Sequence, residues 1–134
     1  MAYATKIEMQ ARFGDKELQQ LTDFDRSGAI NDAVLTKAMD DANNVIDGYM
    51  GRYTLPLATV PAQLVRYGCD IARRLLYKDS ASDNVKELSD KAEAYLMQIA
   101  TGKITLNGIV PPVETRGINY STPTKVFADV EINL

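Results

Sequence analysis

The sequence predicts a mainly α protein: a small helical bundle of about five helices with an extended, β-prone C-terminal tail. Apolar residues recur every three or four positions through three long stretches, the period of a helix with one buried face. Thr5, Asn31 and Ser82 stand just ahead of such runs, and Gly14, Gly51 and Gly102 stand just behind them. Beyond Gly102 the pattern becomes twofold, and Pro111, Pro112 and Pro123 interrupt it. The expected division is a helical domain over residues 1–102 and an extended C-terminal arm over residues 103–134.

The elements follow in order. Thr5 is a good N-cap for a short helix over residues 6–13, ended by Gly14 in a left-handed conformation, and Asp15 is placed to cap a second over residues 16–21. Ile7, Ala11, Phe13, Leu18 and Leu21 are the expected contacts of this hairpin. Val34, Ala38, Ala42, Val45, Ile46 and Tyr49 mark the apolar face of the longest helix, over residues 32–50. Gly51 loosens its end, Pro56 cannot continue it, and Pro61 suits the first turn of the next helix.

Residues 61–77 carry a broad apolar stripe of Leu64, Val65, Gly68, Cys69, Ile71, Ala72, Leu75 and Leu76, with Arg66, Asp70, Arg73, Arg74 and Tyr77 on the other side. This helix is expected at the centre of the bundle. The last helix begins after Ser82, runs to about residue 101, and buries Val85, Leu88, Ala92, Tyr95, Leu96 and Ile99. In the arm, Asn107-Gly108 is a hairpin signal. Val126, Ala128, Val130, Ile132 and Leu134 alternate with Lys125, Phe127, Asp129, Glu131 and Asn133, the period of a half-buried strand. A strand without a sheet of its own needs a partner, so these five apolar residues are interface candidates.

At 134 residues, one domain is the expectation. A net charge of −3, with 15 dispersed Lys and Arg, argues against an autonomous nucleic-acid binder, because phosphate affinity is built from clustered cations. No apolar stretch approaches membrane-spanning length, and the N-terminus lacks a basic segment followed by an apolar run, so a chain made in the cytosol, with no membrane partner, is expected. Catalytic chemistry finds little material. The chain has no His, its one cysteine, Cys69, sits on the apolar stripe, and no glycine loop has phosphate-cradling spacing. The sequence therefore predicts a protein that is not an enzyme and has no resident cofactor.

One stretch does imitate a binding motif. In residues 23–32, DFDRSGAIND, Asp23, Asp25, Ser27 and Asn31 fall at positions 1, 3, 5 and 9 of a calcium loop, with Gly28 at the sharp turn. Position 12, which calls for a bidentate Glu, is Val34, so a calcium ion would lose two oxygens and one charge. Turn and cap chemistry accounts for the same letters: Asp, Ser and Gly build turns, and Asn31 caps the helix that follows. Two further groups have two readings. Tyr49, Tyr53, Tyr67, Tyr77 and Tyr95 suit either the edge of the core or a contact between subunits. Arg73 and Arg74 suit either a solvated face or the rim of an interface with an acidic partner.

Several motifs occur together and in order: the start over residues 3–5, Ala-Arg-Phe-Gly at 11–14, the acidic turn at 23–32, Ile-Asp-Gly-Tyr at 46–49, Arg-Tyr-Thr-Leu-Pro-Leu at 52–57 and Asp-Ile-Ala-Arg at 70–73. Over residues 1–102 the chain resembles the small head-tail connector, or neck, protein family of Mu-like phages and prophages. The resemblance implies a helical adaptor of a long-tailed phage, with about a dozen copies in a ring below the portal and duplex DNA passing through without sequence-specific binding. It also implies the portal protein and the next neck or tail-completion protein as partners, and a place in the virion neck. A lumen that does not grip phosphates suits such passage, and about 12 copies at −3 each would carry about −36. The alternative is a calcium-dependent or other helical interaction module of the cytosol.

Overall fold

The computed structural model describes residues 1–106. Among them are five α-helices: α1 Lys6–Phe13, α2 Asp15–Thr22, α3 Asp32–Tyr49, α4 Ala62–Tyr77 and α5 Asp83–Ala100, with a 3₁₀ turn at Lys78–Ser80 between the last two. No strand occurs among the described residues, so the mainly α prediction holds. The Asn107-Gly108 turn and the proposed strand with Val126, Ala128, Val130, Ile132 and Leu134 lie outside them.

Local chemistry sets the helix starts. Thr5 Oγ1 accepts the N–H of Glu8, Asn31 Oδ1 accepts those of Ala33 and Val34, and Ser82 Oγ accepts that of Val85. Each bond satisfies an N–H that the first turn leaves without a helical partner. Two cap expectations differ from what forms. Gly14, not Asp15, is the N-cap of α2; its φ of 85° comes with ψ of 155°, so the chain turns sharply and goes straight into the next helix. Asp15 instead occupies the first turn and accepts from Gln10 Nε2 at 2.9 Å. Pro61 is the N-cap of α4 rather than its first residue, and its carbonyl accepts the N–H groups of Leu64 and Val65.

Helix α4 is the axis. It packs along α3 on one side and α5 on the other, while α3 and α5 touch each other much less. The α1–α2 hairpin closes one flank, with Met9 and Leu18 fully buried. The expected hairpin contacts are thereby corrected: Ile7 is 77% exposed and Ala11 also faces out, because Met9 lies on the side of α1 that meets the core. On α3 the buried line is Leu35, Ala38, Met39, Ala42, Asn43 and Ile46, rotated about one residue from the predicted face; Val34, Val45 and Tyr49 form its margin.

The segment ahead of α1 is a structural member. Tyr3 and Ala4 are buried, and both donate their N–H to Asn43 Oδ1, at 3.1 and 2.8 Å. Tyr3 Oη donates to Asp47 Oδ1 and the Met1 ammonium pairs with Asp47 Oδ2, both at 2.7 Å. Gly68 makes room for the crossing: a Cβ there would stand 3.1 Å from Ala4 N and 3.2 Å from both Ile46 Cδ1 and Tyr3 Cβ.

At the other end of the chain the body continues past Gly102. The N–H groups of Lys103 and Ile104 both reach Gln98 O, which satisfies the end of α5. Leu106 is buried, and its N–H donates to Tyr53 Oη at 3.1 Å.

Candidate functional site

Two apolar-floored hollows adjoin along the outer side of α4. Helices α3 and α5 each pack on α4 more than on each other, and together they leave part of its apolar stripe uncovered. Leu75, expected in the core, is 40% exposed. It lies between the two hollows. One, of about 320 Å³, is lined by Phe24, Val34, Ala38, Leu75 and Leu76, with Lys37, Asp41 and Lys78 at its rim. The other, of about 580 Å³, has Val45, Ile71, Leu75 and Ser89 below and Arg74, Lys78, Asp79, Asp90 and Glu93 around it.

Phe24 enters this band because the loop after α2 turns outward at Asp23, leaving the ring 65% exposed. Lys78 Nζ stands 5.9 Å from the centroid of that ring, within the range of a cation–π contact. Lys78 has no carboxylate partner among the described residues. Lys37 reaches Asp41 at 3.4 Å on the exposed face of α3, and Arg74 Nη1 reaches Asp90 at 2.8 Å across to α5. The band is therefore an apolar floor with a rim of mixed charge, Lys37 and Lys78 against Asp41 at the smaller hollow and Arg74 and Lys78 against Asp79, Asp90 and Glu93 at the larger.

The two arginines singled out in the sequence do different work. Arg73 lies over the Phe13 ring at 4.5 Å and makes two bonds to the Glu17 carboxylate, at 2.7 and 3.2 Å. It thus clamps the α1–α2 hairpin to α4. Arg74 joins α4 to α5 and borders the larger hollow. Tyr49, Tyr67 and Tyr95, three of the five tyrosines, make contacts within the body: the Tyr67 and Tyr95 rings meet at a tilt of 47° with centroids 4.9 Å apart, Tyr95 Oη donates to Gln63 Oε1 and Tyr49 Oη to Glu93 Oε1.

The loop of residues 23–32 forms its turn from its own groups. Asp23 Oδ1 accepts from Ser27 N and Oγ, and Oδ2 accepts from Gly28 N, all within 3.0 Å. These N–H groups of Ser27 and Gly28 hold the Asp23 carboxyl below the usual carboxylate range. Asn31 spends its Oδ1 on capping α3, and its N–H donates to Thr22 Oγ1. Gly28 and Arg26 both have positive φ, the tight backbone this turn requires. Asp25 is exposed. Among the described residues no group of three or more His, Cys, Asp or Glu side chains is placed to hold a metal.

Two buried groups on α4 complete the inventory. Cys69 is fully buried and its thiol is pushed up to about 11 by burial, so it packs as a neutral side chain. Asp70, expected on the polar side of α4, is only 7% exposed, with Arg66 Nε 4.0 Å away. Burial raises its pKa, and Arg66, Arg12 and Arg73 offset only part of that. A folded-state pKa above the unfolded value means that the native state loses stability as pH rises through that window. Asp70→Asn is therefore expected to raise the thermal midpoint at neutral pH, and the advantage should vanish below about pH 4, where aspartate is protonated in both states. Paired melting curves at the two pH values check this; an equal difference at both would contradict it.

No described helix is long and apolar enough to cross a membrane. Comparison with known proteins finds a match of residues 3–116 to the family described as Bacteriophage Mu, Gp36. The chain is 36% identical over 105 residues to the Mu-like prophage FluMu protein gp36 of Haemophilus influenzae, an alignment covering 78% of this chain and 74% of that protein. It is 33% identical over 118 residues to Gene product J of Escherichia phage Mu, covering 87% of this chain and 80% of that one.

Proposed function

The chain belongs to the bacteriophage Mu Gp36 family, and from that membership we propose that it is a structural head-tail connector subunit of a long-tailed phage. Copies form a ring below the portal, the next neck or tail-completion protein docks beneath, and DNA passes through the middle. The observation that supports this best is the uncovered apolar band along α4, from Phe24 across Leu75 to Val45. A contiguous apolar surface with a charged rim is characteristic of a face that another protein covers. A net charge of −3 per subunit suits a passage that must not hold DNA by its phosphates.

Electron microscopy of the virion is the test. Density for this chain is expected in the neck, as a closed ring in contact with the portal. Density confined to the capsid shell or the baseplate would overturn the proposal.

A further inference from the structure

We infer that the band along α4 is the receiving site for residues 126–134 of a second copy of this chain, laid extended across Leu75 with their apolar side chains on its floor. The inference rests on the ring reading above and names the contact that would hold neighbours together. Val126, Ala128, Val130, Ile132 and Leu134 recur at every second position, so an extended segment puts all five on one side. The floor offers Phe24, Val34, Leu75, Leu76 and Val45, and its two hollows meet at Leu75 and Lys78 to make one continuous track.

Charge favours this occupant at the smaller hollow, where Lys37 and Lys78 face a single acid, Asp41. Asp129 and Glu131 are the acidic groups of the segment, and both fall on its other side. Lys37 and Lys78 stand at the rim of the track on long stems that can rise beside a bound strand, and Lys78 has no described carboxylate to neutralise it. The rim acids are engaged elsewhere in part: Asp41 with Lys37, Asp90 with Arg74 and Glu93 with Tyr49; Asp79 is exposed.

Chain reach permits the contact. Leu106 is anchored on Tyr53 just past the C-terminal end of α3, and the track runs from Val34 in the first turns of that helix to Val45 near its end. At 1.5 Å per residue the 18 residues of α3 span about 27 Å. The 19 residues 107–125 can extend to about 60 Å, enough to leave one body and enter the next. A donor arm and an acceptor track at different places on the same subunit make a head-to-tail contact, which repeats from copy to copy and closes into a ring when the rotation permits.

Disulfide trapping between full-length chains tests this. Leu75→Cys in one copy and Ile132→Cys in a tagged second copy should give a cross-linked heterodimer on mild oxidation, while Met97→Cys on exposed α5 paired with Ile132→Cys should not. Cys69, buried and protonated, stays out of the reaction. Lys37→Glu with Lys78→Glu in the receiving copy should cut the yield by about fivefold, the effect of losing two exposed ion pairs. Asp129→Lys with Glu131→Lys in the donor should restore it. A double variant that cross-links within one chain at every dilution would overturn the inference, since the segment would then occupy its own body. A yield no higher than the Met97 control at every concentration would also overturn it. A trapped heterodimer from a chain absent from the virion neck would sink the neck reading alone, and a neck ring without the cross-link would sink this contact alone.

Discussion

Asn43→Leu is expected to destabilise the protein by about 2 to 6 kcal/mol, the cost of leaving two buried N–H groups without an acceptor. Those groups belong to Tyr3 and Ala4, and Asn43 Oδ1 is the acceptor they share. The side chain's own Nδ2 donates to Ala4 O at 3.4 Å, so the variant also strips a buried carbonyl. Leucine has nearly the same shape as asparagine, which isolates the polar loss from any cavity. The N-terminal segment should peel away while the helices persist at first, because Tyr3 and Ala4 pack over Gly68 on α4 and make no helical bonds of their own. Chemical denaturation should show the lowered stability, and amide exchange should show early loss of protection at Tyr3 and Ala4. Asn44→Leu, one residue along and exposed, is the control; equal effects from the two substitutions would refute the anchoring role of Asn43.

Ile71→Asp should unfold the domain. Ile71 is buried where α4 meets the space between α3 and α5. Losing its burial costs roughly 1.5 to 3 kcal/mol, and placing an unpaired carboxylate there costs several kcal/mol more. The sum approaches the whole stability of a domain this size, about 5 to 15 kcal/mol. The helical circular-dichroism signal and its cooperative melt should both be lost at 37 °C. Leu75→Asp, one turn further along the same stripe, should retain both, because Leu75 already stands partly in water. A folded, cooperatively melting Ile71→Asp variant would show that water reaches this position from the neighbouring hollow.

The contrast between Ile71 and Leu75 separates what could be read from the sequence from what could not. Helix positions were legible because their causes are local: a side-chain oxygen at Thr5, Asn31 or Ser82 meets an N–H two or three residues ahead, and the helical period is written in residues a turn apart. The turn at residues 23–32 was legible for the same reason, since Asp23 bonds Ser27 and Gly28 within five positions. Family membership was legible from motifs lying within the matched residues 3–116.

Periodicity, however, marks a stripe without saying how much of it the neighbours will cover. Tertiary packing decided that Met9 and not Ile7 faces the core, that the buried line of α3 runs through Leu35 and Met39, and that α3 and α5 leave Leu75 partly uncovered. It also decided the fate of polar groups. Asn43 reads as a surface residue until the N-terminal segment, some 40 positions away, brings it two donors. Asp70 reads as solvated until α4 turns it inward beside Arg66. The physical reason is common to all of these: a helix forms from bonds between near neighbours, but its rotation about its own axis, and hence which side chains lose their water, is fixed by the sum of contacts with elements far away in the chain.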